Sequence, residues 1–544
     1  MKILGISYGA HSSSISLLEN GKVVFCLEEE RHSRVKPYVD FYNNWFRFPQ
    51  MSLNELFGRI GIKWEDIDLV SSHNSFEEIQ YVLSCVGIPF EDPNKFFKFD
   101  HHECHALGAY YFSGFEEDCL NIVLDGAGFG ASGKYYLGKN GELSLISEIS
   151  GVGEEGSMAS LGLFYSIVTD FLEFKRVKDE GKVVGMSSHG KFNQNYYDLF
   201  YDLIRGEGYH TRFISLDQMA KTLNQNFYNL IGGRYWKNEK QDLAYNAQLA
   251  FENRIVEIVE ILHFEFPFAR KLVLSGGVFA NIKVNKRLND LDWVDEVFVM
   301  PPMSDEGISV GSCIGAYRKM NPDFRPRKIH NVFWGSSFSS DEVISQWDDR
   351  KFRAKKYVVS DVAKSLSEGK IIGFFQDGYE HGPRALGNRS ILAHPGLNST
   401  YKKVNDRLQR NDFMPFAPSV LFEKAQEIFE CSKSNYTGEF MTMLYDTKPD
   451  WIDRIPAVVH PIDKTARAQI VKFENNPKFH EIINEFYLLT GIPLLLNTSF
   501  NVHEEPIVCK PSEAFAHLET GIVDELVIGN LIFSKLDRIK ETFT

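Results

Sequence analysis

The chain has 544 residues, 43% apolar and 24% charged, the balance of a globular protein with a real core and roughly two to four domains. Fifty-nine basic against 73 acidic residues leave a net charge of −14, which gives no general attraction to phosphate polymers. Seven scattered cysteines, never spaced C-x-x-C, exclude a disulfide framework and a zinc ribbon and fit a reducing cytoplasm. No apolar run approaches the roughly 18 residues of a membrane span, and Met1 to Ile6 reads as a strand rather than a signal-peptide core.

The first thirty residues predict a hairpin. Lys2 to Ser7 alternates as a strand, Gly9-Ala10-His11-Ser12-Ser13 is a small-residue loop, and Asn20-Gly21 turns Ile15–Leu18 into Lys22–Leu27. Asp100-His101-His102-Glu103-Cys104-His105 follows. If it opens a helix, His101 and His105 stand one turn apart on one face and can share a metal. The string is not a metalloprotease motif, because it lacks H-E-x-x-H.

The hairpin grammar then returns. Asn121–Leu124 is a strand ending in Asp125-Gly126-Ala127-Gly128, and Asn140-Gly141 separates Lys134–Leu137 from Glu142–Ile146. Two such copies predict a duplicated α/β core. Asp242 to Phe264 reads as a helix. Lys271–Ser275 opens into Gly276-Gly277, and Val297–Pro302 runs into Ser304-Asp305-Glu306-Gly307 and a small-residue helix from Ser309 to Ala316. Strand ends that empty into such loops are where open α/β sheets bind ligands, so a nucleotide- or phosphate-sized cleft is expected. Asp125 and Asp305, each just past a strand end, could complete with His101 and His105 a donor set suited to a borderline divalent ion such as iron or zinc.

Prolines, basic residues and Gly335-Ser336-Ser337 between Met320 and Ser340 mark a linker. We divide the chain there into residues 1–335 and 336–544. The basic residues from Arg318 to Lys356 read as a solvated segment. Beyond the linker, Gly382-Pro383-Arg384-Ala385-Leu386-Gly387-Asn388-Arg389-Ser390 fixes a turn carrying two guanidinium groups, the group of choice for a planar grip on phosphate. Asp463–Gln469 with Arg467, Asn497-Thr498-Ser499-Phe500-Asn501, and Arg407 with Arg410 ahead of Phe413–Pro418 offer the same chemistry. Together they describe a pocket for a phosphorylated or adenylated ligand. There is no Walker A loop and no G-x-G-x-x-G.

These strings resemble the ATP-dependent O-carbamoyltransferases, among them the nodulation-factor, cephamycin and aminoglycoside carbamoylating enzymes. The resemblance runs from about residue 3 to about residue 534. It rests on Glu29-Glu30-Arg31 with Arg34 and Lys36, Asp100-His101-His102 with His105-Ala106, Asp125-Gly126, Gly181–Met186, Ser275–Val278, Gly382–Leu392, Pro415–Pro418, and Asn497–Asn501 with Glu505-Pro506. It implies an α/β protein with an N-terminal duplicated actin/sugar-kinase-like domain and a C-terminal YrdC-like α/β domain. It also implies that ATP, with Mg2+, and carbamoyl phosphate form carbamoyl adenylate in the C-terminal pocket. There Arg384, Asn388, Arg389, Ser390, Arg410, Arg467, Asn497 and Ser499 are the expected ligands, with Arg384 also catalytic. The N-terminal cleft, with Gly276 and Gly277 on the nucleotide, His11 and His102 as catalytic groups and the metal on His101, His105, Asp125 and Asp305, would pass the carbamoyl group to a hydroxyl.

A small polar acceptor is expected; a hydroxymethylated nucleotide or DNA base, and an actin-like kinase or ATPase, are the alternatives. No membrane partner is expected, and a homodimer is compatible with the reading. The chain departs from the family pattern at Ser12, at Gln376-Asp377-Gly378-Tyr379-Glu380, at Leu408 and at Glu504.

Overall fold

The computed structural model describes residues 1–9, 12–36, 48–128, 130–150, 159–212, 218–223, 225, 239–410, 414–431, 433 and 435–536. Two five-stranded sheets repeat one topology. The first contains β1 (Lys2–Ser7), β2 (Ser14–Glu19), β3 (Lys22–Glu28), β4 (Leu69–Ser72) and β5 (Phe96–Lys98), in the order β3-β2-β1-β4-β5. The second contains β6 (Cys119–Gly128), β7 (Ala131–Lys139), β8 (Glu142–Ser150), β9 (Lys271–Ser275) and β10 (Glu296–Val299), in the order β8-β7-β6-β9-β10. In each, three strands form an antiparallel meander and the first also pairs in parallel with the fourth. Both meanders turn on Asn-Gly with both residues at positive φ, 48° and 75° for Asn20 and Gly21, 53° and 79° for Asn140 and Gly141. Such turns match the right-handed twist of the strands they join. The duplicated α/β core expected from the sequence is present.

Helices α1 (His101–Ser113), α3 (Ile282–Asn289) and α4 (Ile308–Met320) pack on these sheets, and α2 (Lys240–Glu265) packs against α3. Asp100 caps α1: its side chain accepts the Glu103 backbone N–H at 3.1 Å, and the Glu103 carboxylate reaches back to the Asp100 N–H. That reciprocal pair satisfies two of the donors a helix start leaves unmade. Gly114, left-handed at φ 68°, ends the helix. α1 and α4 touch almost backbone to backbone. A Cβ on Gly311 would fall on the Cys104 carbonyl, and one on Gly108 would sit 3.5 Å from the Gly311 Cα.

The C-terminal half is built on one mixed sheet. Its strands are β11 (Phe352–Lys356), β12 (Ile372–Phe375), β13 (Arg389–Ala393), β14 (Ala417–Leu421), β17 (Gln469–Val471), β18 (Leu494–Ser499), β19 (Glu525–Ile528) and β20 (Leu531–Lys535), while β15 (Tyr445–Asp446) and β16 (Thr465–Ala466) form a small separate ladder. The order is β11-β20-β19-β12-β13-β18-β14-β17. Leu494, Leu495 and Leu496 on β18 are all wholly buried, as a central strand covered on both faces requires. This is the α/β unit expected of the YrdC-like half.

The halves are joined by buried polar contacts. Arg31, 1% exposed, donates to the Gly382 carbonyl at 2.8 Å, and Arg34 donates to the carbonyls of Pro506 and Ile507 at 2.8 and 2.7 Å. Tyr436 donates its hydroxyl to the Phe112 carbonyl at the end of α1. No helix among the described residues is long and apolar enough to cross a membrane.

The tight crossing of α1 and α4 yields a prediction with a definite sign. On helix propensity alone Gly311→Ala would stabilise the chain by about 1 kcal/mol. The collision with the Cys104 carbonyl reverses that, and chemical denaturation should show a net loss of roughly 1–3 kcal/mol. A more stable variant would mean that the two helices separate freely.

Candidate active site

Three elements bring four metal-type donors together. The capped start of α1 places His101 and His105 one turn apart, the end of β6 supplies Asp125, and the turn before α4 supplies Asp305. His101 Nε2 lies 3.3 Å from Asp125 Oδ2 and 3.6 Å from Asp305 Oδ1. His105 Nε2 lies 3.6 and 3.5 Å from the same two oxygens. All four donor atoms fall within 4.8 Å of one another. The backbone aims Asp125: its Oδ1 accepts the N–H groups of Gly126 at 2.8 Å and Gly277 at 3.2 Å, leaving Oδ2 to face the histidines.

Bond lengths of about 2.0–2.2 Å to nitrogen and oxygen correspond to tetrahedral edges of roughly 3.3–3.6 Å. The four measured nitrogen–oxygen separations lie in that range. His105 Nε2 is buried and makes no hydrogen bond. Burial opposes a charge on His105, but Asp125 and Asp305 override it and raise its pKa to about 9. Burial would likewise raise the pKa of Asp125, yet the two histidines hold it well below the carboxylate range. These side chains fit a divalent cation of borderline softness.

His102 and His73 line the same place. Burial, with His101 nearby, pushes each of them down to about 3, so both are neutral imidazoles. Neither ring nitrogen of His102 has a hydrogen-bond partner, and its ring centroid is 5.0 Å from that of His101. Gly276 and Gly277, expected on a nucleotide, press against the β6 end. A Cβ on Gly276 would strike the Leu124 carbonyl, and one on Gly277 would sit 3.0 Å from Asp125 Oδ1. Their visible task is to seat Asp125. His11 lies outside the described residues.

In the C-terminal half, Arg384, Arg410 and Arg467 form a cationic cluster. Burial first, and then repulsion from Arg384 and Arg410, drive Arg467 well below the usual guanidinium range. Burial also lowers Arg384 to about 10, with Glu306 opposing the shift. The Nε atoms of Arg384 and Arg467 are buried without a hydrogen-bond partner. A hollow opens beside Arg467, lined from the front half by Gly185, Ser188 and Lys283 and from the rear half by Phe416 and Thr465.

Three residues expected on the anion are occupied otherwise. Arg389 is wholly buried, and its guanidinium donates to the carbonyls of Gln376, Asn388, Ser336 and Asp377 while lying 3.5 Å over the Phe375 ring. Its two terminal nitrogens tie the loop together, and its Nε alone is left without a hydrogen-bond partner. Asn388 donates to the Gly378 carbonyl, and Asn497 donates to the Ala385 carbonyl and the Ser419 hydroxyl. Ser390 accepts the Gly387 N–H at 3.0 Å and is paired in register with the half-buried Ser499 on β18. Arg407 is held by Asp524 at 2.8 Å and does not substitute for the basic residue missing at Leu408, which lies in the core.

Lys283 escaped the sequence reading. It follows the Asn281 cap of α3 by two residues, beyond the Gly276-Gly277 string. Its ammonium lies 2.9 and 2.6 Å from the hydroxyls of Ser187 and Ser188, and burial lowers its pKa. Position next to Gly276-Gly277 was the available signal, but only the fold brings it to Arg467. The basic segment from Arg318 to Lys356 is largely neutralised locally, with Lys328 on Glu296, Arg350 on Asp348, Lys351 on Glu519 and Lys355 on Asp361.

Residues 76–314 match the model described as carbamoyltransferase N-terminus, and residues 363–535 the model described as carbamoyltransferase C-terminus. The chain is 30% identical to the nodulation protein NolNO of Sinorhizobium fredii, over 96% of this chain and 79% of that one. It is 32% identical to the nodulation protein NolO of Bradyrhizobium diazoefficiens, over 80% of this chain and 79% of that one. Among solved structures, HypF of T. kodakarensis superposes with a TM-score of 0.36 at 14% identity, covering 60% of this chain and 48% of that one. The chain belongs to the carbamoyltransferase family and is a transferase.

The cationic cluster predicts anion-dependent stability. Inorganic phosphate or pyrophosphate should raise the melting temperature, with a gain near 2.7 kcal/mol at about a hundredfold excess over Kd. Arg467→Leu should abolish that response and leave the chain without ligand no less stable. An unchanged anion response in the variant would remove Arg467 from the site.

Proposed function

We propose that the chain is an ATP-dependent O-carbamoyltransferase working in two connected places. Residues 336–544 hydrolyse carbamoyl phosphate with one water to carbamate and phosphate, and a carbamate oxygen then displaces pyrophosphate from the α-phosphorus of ATP to form carbamoyl adenylate. Residues 1–335 then transfer the carbamoyl group from the mixed anhydride to an alcohol, releasing AMP. The observation that carries the reading is Arg384. It belongs to the rear cationic cluster with Arg467, yet its electrostatic partner is Glu306, the residue beside Asp305.

Each part has a chemical reason. A carbamoyl group bound to AMP has a good leaving group but hydrolyses in water, so a closed path between the sites favours transfer over loss. Arg384, Arg410 and Arg467 would grip the phosphoryl oxygens, with Lys283 reaching the same hollow from the front half. His101, His105, Asp125 and Asp305 would hold the divalent metal, Fe2+ in preference to Zn2+ or Mn2+, while Mg2+ accompanies ATP. When bound, that metal supplies Lewis-acid polarisation of an oxygen at the transfer site. His102, 5.0 Å ring to ring from His101, would orient the acceptor through its ring nitrogens, which have no hydrogen-bond partner. The net charge of −14 and the paired basic segment favour a small polar acceptor over a nucleic acid.

Product analysis tests this directly. Pyrophosphate release should require both carbamoyl phosphate and ATP, and mass spectrometry should find one carbamoyl unit added to one member of a panel of sugar alcohols, nucleotides and oligonucleotides. Release of ADP with a phosphorylated product would contradict the reading.

Removing a ligand separates the two places. His105→Ala and Asp305→Asn should each lose the bound transition metal by elemental analysis and lower transfer by about a hundredfold or more. Carbamoyl-phosphate-dependent pyrophosphate release should persist. Full metal content in both variants would place the metal elsewhere.

A further inference from the structure

The loop that carries Arg384 is closed around one carboxylate. Glu380 is wholly buried, and a single oxygen, Oε1, accepts the backbone N–H groups of Leu386 at 2.7 Å, Asn388 at 2.7 Å and Arg389 at 3.1 Å. The turn between them passes through Gly387 at φ 107°, a conformation open to glycine and to few other residues. It brings the N–H groups on either side to one point. A concavity of backbone N–H groups is a general anion site, of the kind that holds phosphate in other proteins. Here the chain fills it with an anion of its own.

Other peptide groups of the loop are held as well. Gly387 donates its N–H to the Ser390 hydroxyl at 3.0 Å, while the Ala385 carbonyl accepts from Asn497 at 3.1 Å and the Leu386 carbonyl from Gln469 at 2.8 Å. At the other end Gly382 donates its N–H to Glu28 at 2.5 Å, and its carbonyl accepts from Arg31 at 2.8 Å. Gly382 itself rests on the loop before Asp305, where a Cβ would lie 3.3 Å from the Pro301 carbonyl. Within this fastened loop the Arg384 Nε is buried and makes no hydrogen bond.

A buried carboxylate in such a place can serve by its charge, which the Arg31 and Arg389 guanidinium groups both feel, or by the position of one oxygen. The pattern of bonds favours position. A carboxylate acting as counter-ion commonly takes guanidinium bonds at both oxygens. Three N–H groups converge on Oε1 instead, and Oε2 is buried without a hydrogen-bond partner. We propose that Glu380 is a positioning residue: it supplies the anion around which the Gly382–Arg389 loop closes, and so aims Arg384 at the phosphate bound beside Arg467. The ligand in this statement rests on the functional reading above; the fastening of the loop does not. A preformed loop leaves the ligand little to order, so the arginine's grip costs less on binding.

Calorimetric binding of inorganic phosphate to the full chain tests the role. Glu380→Asp keeps the charge but draws the oxygen back by about 1.5 Å, one carbon–carbon bond, and should weaken phosphate about tenfold. Glu380→Gln keeps the oxygen and removes the charge, and should stay within about threefold of the unaltered chain. In an Arg384→Leu chain, whose affinity is already reduced, Glu380→Asp should add less than about twofold, because Glu380 acts through that arginine. A loss with Glu380→Gln as large as with Glu380→Asp, or an equal loss with and without Arg384, would overturn the proposal. Amide hydrogen exchange of the unaltered chain decides the matter even if Glu380→Asp does not fold. The segment from Gly382 to Ser390 should be as strongly protected without phosphate as with it; protection gained only with phosphate would mean a loop ordered by its ligand, and Glu380 would lose the role. Absence of phosphate binding by the unaltered chain would overturn the functional reading and the aim of Arg384 together, while exchange would still decide whether Glu380 fastens the loop.

Discussion

The structure depends on the seam where the Gly382–Arg384 turn is pressed against the loop that carries Asp305. On one side of that seam four metal-type donors converge. On the other, Arg467 lines a hollow with Lys283 and Asp463 and bears repulsion from Arg384 and Arg410. Either arrangement alone is costly, because buried like charges and unpaired imidazoles are unfavourable without a ligand. A folded chain that tolerates both, side by side, is arranged for ligands that bring the missing charge.

The strain is held by ordinary packing. Glycines let α1 and α4 meet at Gly108 and Gly311, which sets the histidines of one helix against the aspartate that begins the other. The Gly126 and Gly277 amides turn one oxygen of Asp125 away and leave the other to the site. Arg389 fastens the rear loop by its carbonyls, so that Arg384 can project from a fixed base. Residues that looked like ligands thus divide into those that reach a site and those that hold another residue in place.

Much of this was legible in the sequence. The two Asn-Gly hairpins announced the duplication because positive φ at both turn positions is a local demand that few residues meet. The His101–His105 spacing and the Asp100–Glu103 cap announced a helix with two imidazoles on one face, again a local matter. What stayed hidden depends on distance along the chain. Arg389 and Arg384 sit in the same string with the same chemistry, and only the position of the Gln376, Asp377 and Ser336 carbonyls tells them apart. Lys283 and Arg467 lie on opposite halves, and no periodicity connects them.

The account's central claim is that the metal centre and the anion hollow adjoin across one seam. Phosphorus relaxation of inorganic phosphate bound to the Mn2+-loaded chain tests it most directly, since paramagnetic relaxation falls with the sixth power of distance. The account predicts strong enhancement of the bound phosphate signal that disappears with the metal. Phosphate that binds through Arg467 yet relaxes as in the metal-free chain would contradict it.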